Sequence, residues 1–272
     1  MSADGKGDKL TPQEIAQQSQ AAYAALASYS DTGKIVFVMN EANKSETNFN
    51  NTFNIRLQRP NLYRIEWMNV TEIFSKIGVV WGDGSGNYMV MGLTNNIDSA
   101  KPEAMKGLEN ALASAKGVSY GAAGFIPSAF YKLSGGLTLF TSPRGKMERL
   151  PDEKVGNINC QVILLDTDPV NLPNDQGAIG KTIFQLWIGK ADHFIHQVKL
   201  TSGDIHIKPF TDKTLKEILE RQGKAITPEA ITALRAQMEA TMKIPAQMNV
   251  VIVETHENIK VNPPFTSADF AR

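Results

Sequence analysis

Gly117-Val118-Ser119-Tyr120-Gly121 is the one stretch whose residue types and spacing match a catalytic device, the G-x-S-x-G nucleophile elbow. That motif works when a strained strand-to-helix turn exposes the serine beside oxyanion-hole amides, with an acid and a histidine elsewhere in the chain. Here a helical pattern precedes the motif, and Gly124 and Pro127 follow it closely, so the strand–elbow–helix context is missing on both sides. His256 lies downstream, but so it would in most chains. A glycine-rich loop is the better reading of 117–124, and a serine esterase at Ser119 the lesser alternative.

Other candidates reduce to structure in the same way. Gly82-Asp83-Gly84-Ser85-Gly86-Asn87 lacks the third glycine of a dinucleotide fingerprint and leads into a strand, so it reads as a hairpin turn. His193 and His196 stand three apart; on a strand that spacing points them to opposite faces, which cannot grip one ion. His206 and His256 have no ligand-spaced neighbours, and all four histidines read as scattered along strands. Cys160 is the only cysteine, which excludes an internal disulfide and a thiolate metal cluster and reads as a small buried hydrophobe. No metal site and no cofactor is expected.

Composition narrows the field further. Of 272 residues 42% are hydrophobic and 21% charged, with 28 basic residues balancing 28 acidic ones. A balanced chain carries no electrostatic footprint for nucleic acid and no polybasic patch for a membrane. No apolar run approaches the ~20 residues of a membrane span, and residues 1–10 are polar and glycine-rich, read as a disordered lead-in without the pattern of a signal peptide.

The elements that would position any site follow from periodicity. Thr11-Pro12-Gln13-Glu14 sets a capping box and an N1 proline for a helix running to about Ser28. Strands are predicted near 32–40, 48–58, 62–68, 73–81 and 87–92. In the second, Phe49, Phe53, Ile55 and Leu57 alternate with Thr52, Asn54 and Arg56, the period of a sheet with one covered face. A helix is predicted from Pro102 to about Lys116; the small-residue stretch 117–135 carries no assignable period. Strands resume near 137–141, 145–149, 155–166, 180–189 and 193–202, with Lys190-Ala191-Asp192 at a hairpin tip. Residues 212–243 switch to two helices, aligning Leu215, Ile218 and Leu219, then Ile231, Leu234, Met238 and Met242. A strand over 248–261 closes the chain. Hairpins flanked by helices, without alternating βα units, predict an α+β fold on an antiparallel sheet. Residues 11–272 read as one domain with a helical insertion at about 212–243.

Three segments carry a family resemblance: Arg59-Pro60-Asn61-Leu62-Tyr63 after the alternating strand, the turn Asp83-Gly84, and Glu254-x-His256-x-Asn258-Ile259-Lys260-Val261-Asn262-Pro263-Pro264-Phe265 at the close. Together they resemble the LolA-like family of envelope proteins, and in particular its uncharacterised periplasmic branch. The resemblance implies a curled antiparallel sheet of about eleven strands, an unclosed half-barrel whose mouth is covered by helices. It implies a hydrophobic hollow for a lipid or the acyl chain of a lipoprotein, bound or carried without covalent chemistry. The family's functional arginine falls on Arg59, where it would hold a lid through backbone carbonyls, and its neighbouring aromatic falls on Tyr63. Phe53, Ile55 and Trp67 are the candidate walls. The localisation implied is the periplasm, any signal peptide having been removed, with peripheral membrane contact. The alternative is an envelope sensor or protein-interaction module whose partner docks on the 212–243 helices; its sign would be a filled interior and an apolar patch on Leu215, Ile218, Leu234 or Met238.

Overall fold

A computed structural model describes residues 10–41, 47–70, 75–93, 97, 99–171, 177–207, 211–221, 224–241 and 247–271. The predicted lead-in at 1–10 lies outside them except for Leu10, as does Met242.

The chain opens with helix α1 (Pro12–Ala24), and its capping box is formed: the Thr11 hydroxyl accepts from Glu14 N, and the Glu14 carboxylate accepts from Thr11 N. The helix ends four residues before Ser28 because the Ala27 and Ser28 amides are taken by the Asn262 side chain, and strand β1 begins there. Five strands then form a meander: β1 (Ser28–Glu41), β2 (Thr47–Gln58), β3 (Leu62–Val70), β4 (Ser75–Gly82) and β5 (Asn87–Leu93). A short edge strand β6 (Glu103–Met105) follows, then helices α2 (Gly107–Val118), α3 (Phe125–Tyr131) and α4 (Thr138–Thr141). The second half brings β7 (Gly145–Val155), β8 (Ile158–Thr167), β9 (Val170–Asn171), β10 (Gly177–Ile179), β11 (Thr182–Gly189), β12 (Ile195–Ser202) and β13 (Ile205–Ile207). Helices α5 (Asp212–Arg221) and α6 (Pro228–Thr241), strand β14 (Gln247–Val261) and a 3-10 turn (Ser267–Phe270) complete it.

Eleven strands pair antiparallel in the order β6-β5-β4-β3-β2-β1-β14-β12-β11-β8-β7, with β9, β10 and β13 attached at the side. The two terminal strands of that path do not pair with each other, so the sheet is an unclosed half-barrel. The fold is α+β, and α1 to α4 lie on the concave face, where they share one core with the inward side chains of the sheet.

Three inward aromatics sit opposite glycines across the ladder: Phe53 opposite Gly33, Trp67 opposite Gly78, and Tyr63 opposite Gly82. Each ring lies over its glycine so closely that an added Cβ would come within 2.1–2.4 Å of a ring atom or the adjoining backbone. A glycine beneath an aromatic lets the sheet bend sharply while the ring covers the bare backbone.

Several local expectations are corrected. Residues 137–141 form a helical turn rather than a strand, because Leu137 and Phe140, three apart, both enter the core. The helix expected from Pro102 starts only at Gly107, whose φ of 79° breaks the path back to the edge strand. The strands expected at 145–149 and 155–166 are one hairpin that reverses at Gly156-Asn157 (Gly156 φ 56°), with Val155 facing Ile158. The unassigned stretch 117–135 holds α3, buried through Phe125, Ile126, Ala129 and Phe130. In the helical pair, Leu215, Leu219, Ile231 and Leu234 pack against one another as a cluster separate from the main core.

Candidate functional site

Strand β3 runs from one end of the half-barrel to the other, roughly 23 Å from Leu62 to Asn69 at ~3.3 Å per residue. Its two ends differ. Near Leu62 the concave face is sealed: Tyr29, Leu57 and Tyr63 are wholly buried. Toward Asn69 the helical cover stops, because α2 ends at Val118 and the chain turns through Tyr120 (φ 56°) and Gly121 (φ 122°). The uncovered stretch is a cavity of about 580 Å³. Strand β3 contributes Trp67 and Asn69, β4 Lys76 and Ile77, β5 Met91 and Leu93, and the end of α2 Val118 and Tyr120. The volume lies within the ~300–1,000 Å³ usual for small-molecule sites, and the wall is mostly apolar with few polar groups. Exposure rises toward its rim: Trp67 is 4% exposed, Leu93 41% and Met91 48%. Tyr120 also closes an aromatic cluster with Phe37 and Phe49, ring centroids 5.1 and 6.0 Å away.

The five residues singled out from sequence are not all in one place. Trp67 lies on the cavity wall, its ring braced on Gly78. Phe53 and Ile55 are inward and buried in the common core beneath the helices. Tyr63 is at the sealed end, where its hydroxyl donates to Asn87 Oδ1 at 2.9 Å. Arg59 is at the same end, in the turn after β2. Its Nε donates to Leu26 O at 2.9 Å, a terminal nitrogen donates to Phe130 O, and its guanidinium stands 4.6 Å over the Phe130 ring. One planar fork thus ties the end of α1 and α3 to the β2–β3 turn, which a single-point ammonium could not do.

The concave face also holds a buried ionic cluster that sequence reading passed over. His256 Nδ1 lies 2.7 Å from Asp31 Oδ2, and its Nε2 lies 3.3 Å from Glu254 Oε1, inside ion-pair range but off hydrogen-bond alignment. Tyr29 donates to the same Asp31 oxygen at 2.8 Å, and Phe53 meets the imidazole edge-to-face at 5.3 Å. Burial acts to lower the His256 pKa, but Asp31 and then Glu254 outweigh it and push the value up to about 10. Burial raises the Asp31 pKa against the opposing pull of His256. His256 is therefore a charged partner between two carboxyls, not a stray strand histidine. The available signal was alternation: Tyr29-x-Asp31 on one inward face and Ile252-x-Glu254-x-His256 on its neighbour.

Asp31 and His256 reproduce the orienting half of a hydrolytic triad, but the rest is absent. The ring's second nitrogen faces Glu254. Ser119 is wholly buried; its hydroxyl accepts from Ala123 N at 3.2 Å and lies 3.4 Å from Lys116 O, a loop-capping role. Elsewhere, His193 sits before β12 with φ 60°, and His196 binds Asp192 Oδ2 at 3.0 Å, so the two do not share a ligand. Among the described residues no group of three or more His, Cys, Asp or Glu side chains could hold a metal ion. Cys160 is buried, and burial pushes its thiol up to about 11. A second hollow of about 690 Å³ lies on the convex face among Asn54, Arg56, Lys260 and Phe265, and is mostly polar in its side chains. No helix among the described residues is long and apolar enough to cross a membrane.

No family model matches the chain, and no curated protein matches it. Solved structures are similar to it at low identity. LprF from Mycobacterium bovis is 11% identical, with 94% of each chain covered and a TM-score of 0.44. A putative outer membrane lipoprotein-sorting protein domain from Vibrio parahaemolyticus is 10% identical, covering 95% of each chain at a TM-score of 0.33. A LolA superfamily protein from Nitrosomonas europaea is 8% identical, covering 97% of this chain and 99% of its own at a TM-score of 0.30.

Proposed function

We propose that this protein binds a hydrophobic ligand, a lipid or the acyl chain of a lipoprotein, without covalent chemistry, in the periplasm or envelope. The observation that carries the reading is the cavity at the uncovered end of the concave face, where Trp67, Met91, Leu93 and Val118 present apolar surface to a space that no described side chain fills. Burying methylenes is worth roughly 0.8 kcal/mol each, so an acyl chain of moderate length would bind there despite incomplete enclosure. The partly open wall suits a carrier, since a ligand that keeps some contact with solvent is released more readily. Arg59, at the other end, fastens the helices that seal the core there; Tyr63 belongs with it as a supporting residue, and Phe53 and Ile55 as the floor behind Trp67. The names of the similar structures, a lipoprotein-sorting domain among them, agree with such a role and with an envelope location.

The protein-interaction alternative is less favoured, because Leu215, Ile218, Leu234 and Met238 pack within the α5–α6 hairpin instead of forming an outward apolar patch. The esterase alternative lacks a free nucleophile at Ser119.

Native mass spectrometry and lipid extraction of protein purified from its host test the reading. A stoichiometric acyl compound, displaced or lost in Val118→Trp, is the expected result. Clean protein that also fails to take up added lipids would overturn it.

A further inference from the structure

The register aligns an unusual row across the concave face: Lys76 opposite Asn69, Asn69 opposite Asn51, Asn51 opposite Ile35, and Ile35 opposite Glu254. Residues paired in this way project from the same side of the sheet with Cβ atoms about 5 Å apart. Asn69 lines the cavity, 5% exposed, and Asn51 lies immediately behind it, 1% exposed. Both Oδ1 and Nδ2 of Asn51 are buried and have no hydrogen-bond partner among the described residues. An amide buried with neither atom satisfied is costly, and in a binding site it marks where a ligand's polar atoms go. The cavity wall is therefore polar at its inner end through Asn69, with the Asn51 amide packed behind it, and apolar at its rim, where Met91, Leu93 and Val118 are exposed.

We infer that the cavity takes a single-chain amphiphile head-first, with Asn51 and Asn69 holding a neutral head that both donates and accepts hydrogen bonds, an alcohol or an amide. This rests on the ligand-binding reading above and names the ligand class for the same site.

Three features select this chemistry. An asparagine amide offers one acceptor and two donors, so a group with both capacities matches it, whereas a carboxylate or phosphate uses only its donors. Beyond Asn51 the row leads within about 10 Å, two strand spacings, to Glu254, and Asp31 lies in the same cluster around the single cationic His256. Two carboxyl groups against one imidazole make the deep end unfavourable for an anion, while Lys76 stands at the outer end of the row. At roughly 30 Å³ per water-sized group, 580 Å³ accommodates on the order of twenty heavy atoms, one chain and not two.

Calorimetric titration with n-decane, 1-decanol, decanamide and decanoate tests this, using the whole chain, Asn51→Leu and Asn69→Leu. Decanol and decanamide are expected to bind roughly tenfold or more tighter than decane, the equivalent of one buried hydrogen bond, and tighter than decanoate. Asn51→Leu should erase that preference and Asn69→Leu reduce it, with melting temperatures showing that both variants fold. Equal affinity for all four compounds, tightest binding of decanoate, or an undiminished preference in both variants overturns the head-first inference while leaving hydrophobic binding intact. Failure of every compound to bind the unaltered chain overturns both.

Discussion

The two ends of the half-barrel are built from the same strands, yet one is a core and the other a cavity. At the sealed end, Tyr23, Tyr29 and Phe194 pack ring to ring with centroids 5.1–6.2 Å apart, and Arg59 ties two helical segments to the β2–β3 turn. At the open end the same inward alternation continues through Phe37, Phe49, Trp67 and Met91, but among the described residues nothing equivalent to α1 and α3 covers it. Apolar strand positions therefore do not by themselves distinguish a packing face from a binding face, although Asn51, Asn69 and Lys76 interrupt the apolar run at the open end. What decides is where the covering helices stop, and α2 stops at Val118 because Tyr120 and Gly121 take positive φ.

Substitutions can break that contrast in graded steps. The largest effect is expected from His256→Leu, which leaves Asp31 and Glu254 buried without their shared cation and should cost roughly 3–5 kcal/mol in urea unfolding. The same group sets a pH dependence. Its folded pKa of about 10 exceeds the ordinary 6.5, so its stabilisation is complete below 6.5 and is lost as pH rises through about 10. The melting temperature should fall across that window, and the His256→Leu variant should lose that slope; an identical slope in both would assign it elsewhere. Ile55→Ala, at a wholly buried position on the covered face, should cost about 2–5 kcal/mol by the same denaturation. Arg59→Leu comes next, at about 2–3 kcal/mol for the lost charged hydrogen bonds. Arg59→Lys should recover only part of this, since an ammonium cannot reach both carbonyls as a fork does. Smallest is Met91→Ala on the exposed rim, within about 0.5 kcal/mol in stability but measurably weaker in acyl-ligand titration. If Met91→Ala were as destabilising as Ile55→Ala, the rim would be core and the contrast between the ends would collapse.

Much of the frame was legible. The Thr11 capping box, the meander from β1 to β5, the helix pair after Asp212 and the long closing strand all follow from local period and cap chemistry, which act over a few residues. Errors fell where local signals compete: the turn at Gly156-Asn157 inside a continuous strand-forming run, and the Leu137–Phe140 segment, whose period was too short to separate helix from strand. Of the residues at the cavity, Trp67 was singled out from sequence, whereas Asn51, Asn69, Met91 and Leu93 were not. Alternation puts Asn51 in phase with Phe49 and Phe53, and Asn69 in phase with Trp67, but it does not say that the two pair across the strands or that the Asn51 amide is left without a partner among the described residues.

The sequence by itself determined the α+β antiparallel class, the inward faces of the strands and the turn that carries Arg59, because each depends on side-chain alternation and backbone preference along a short stretch. Only the tertiary structure decided which part of the concave face stays uncovered. It alone brought Asp31, on the first strand, within 2.7 Å of His256, on the last. It also set Asn51 beside Asn69 without a partner for its amide among the described residues. Those outcomes depend on how far helices reach and on pairings between residues as many as 225 positions apart, which no local period encodes.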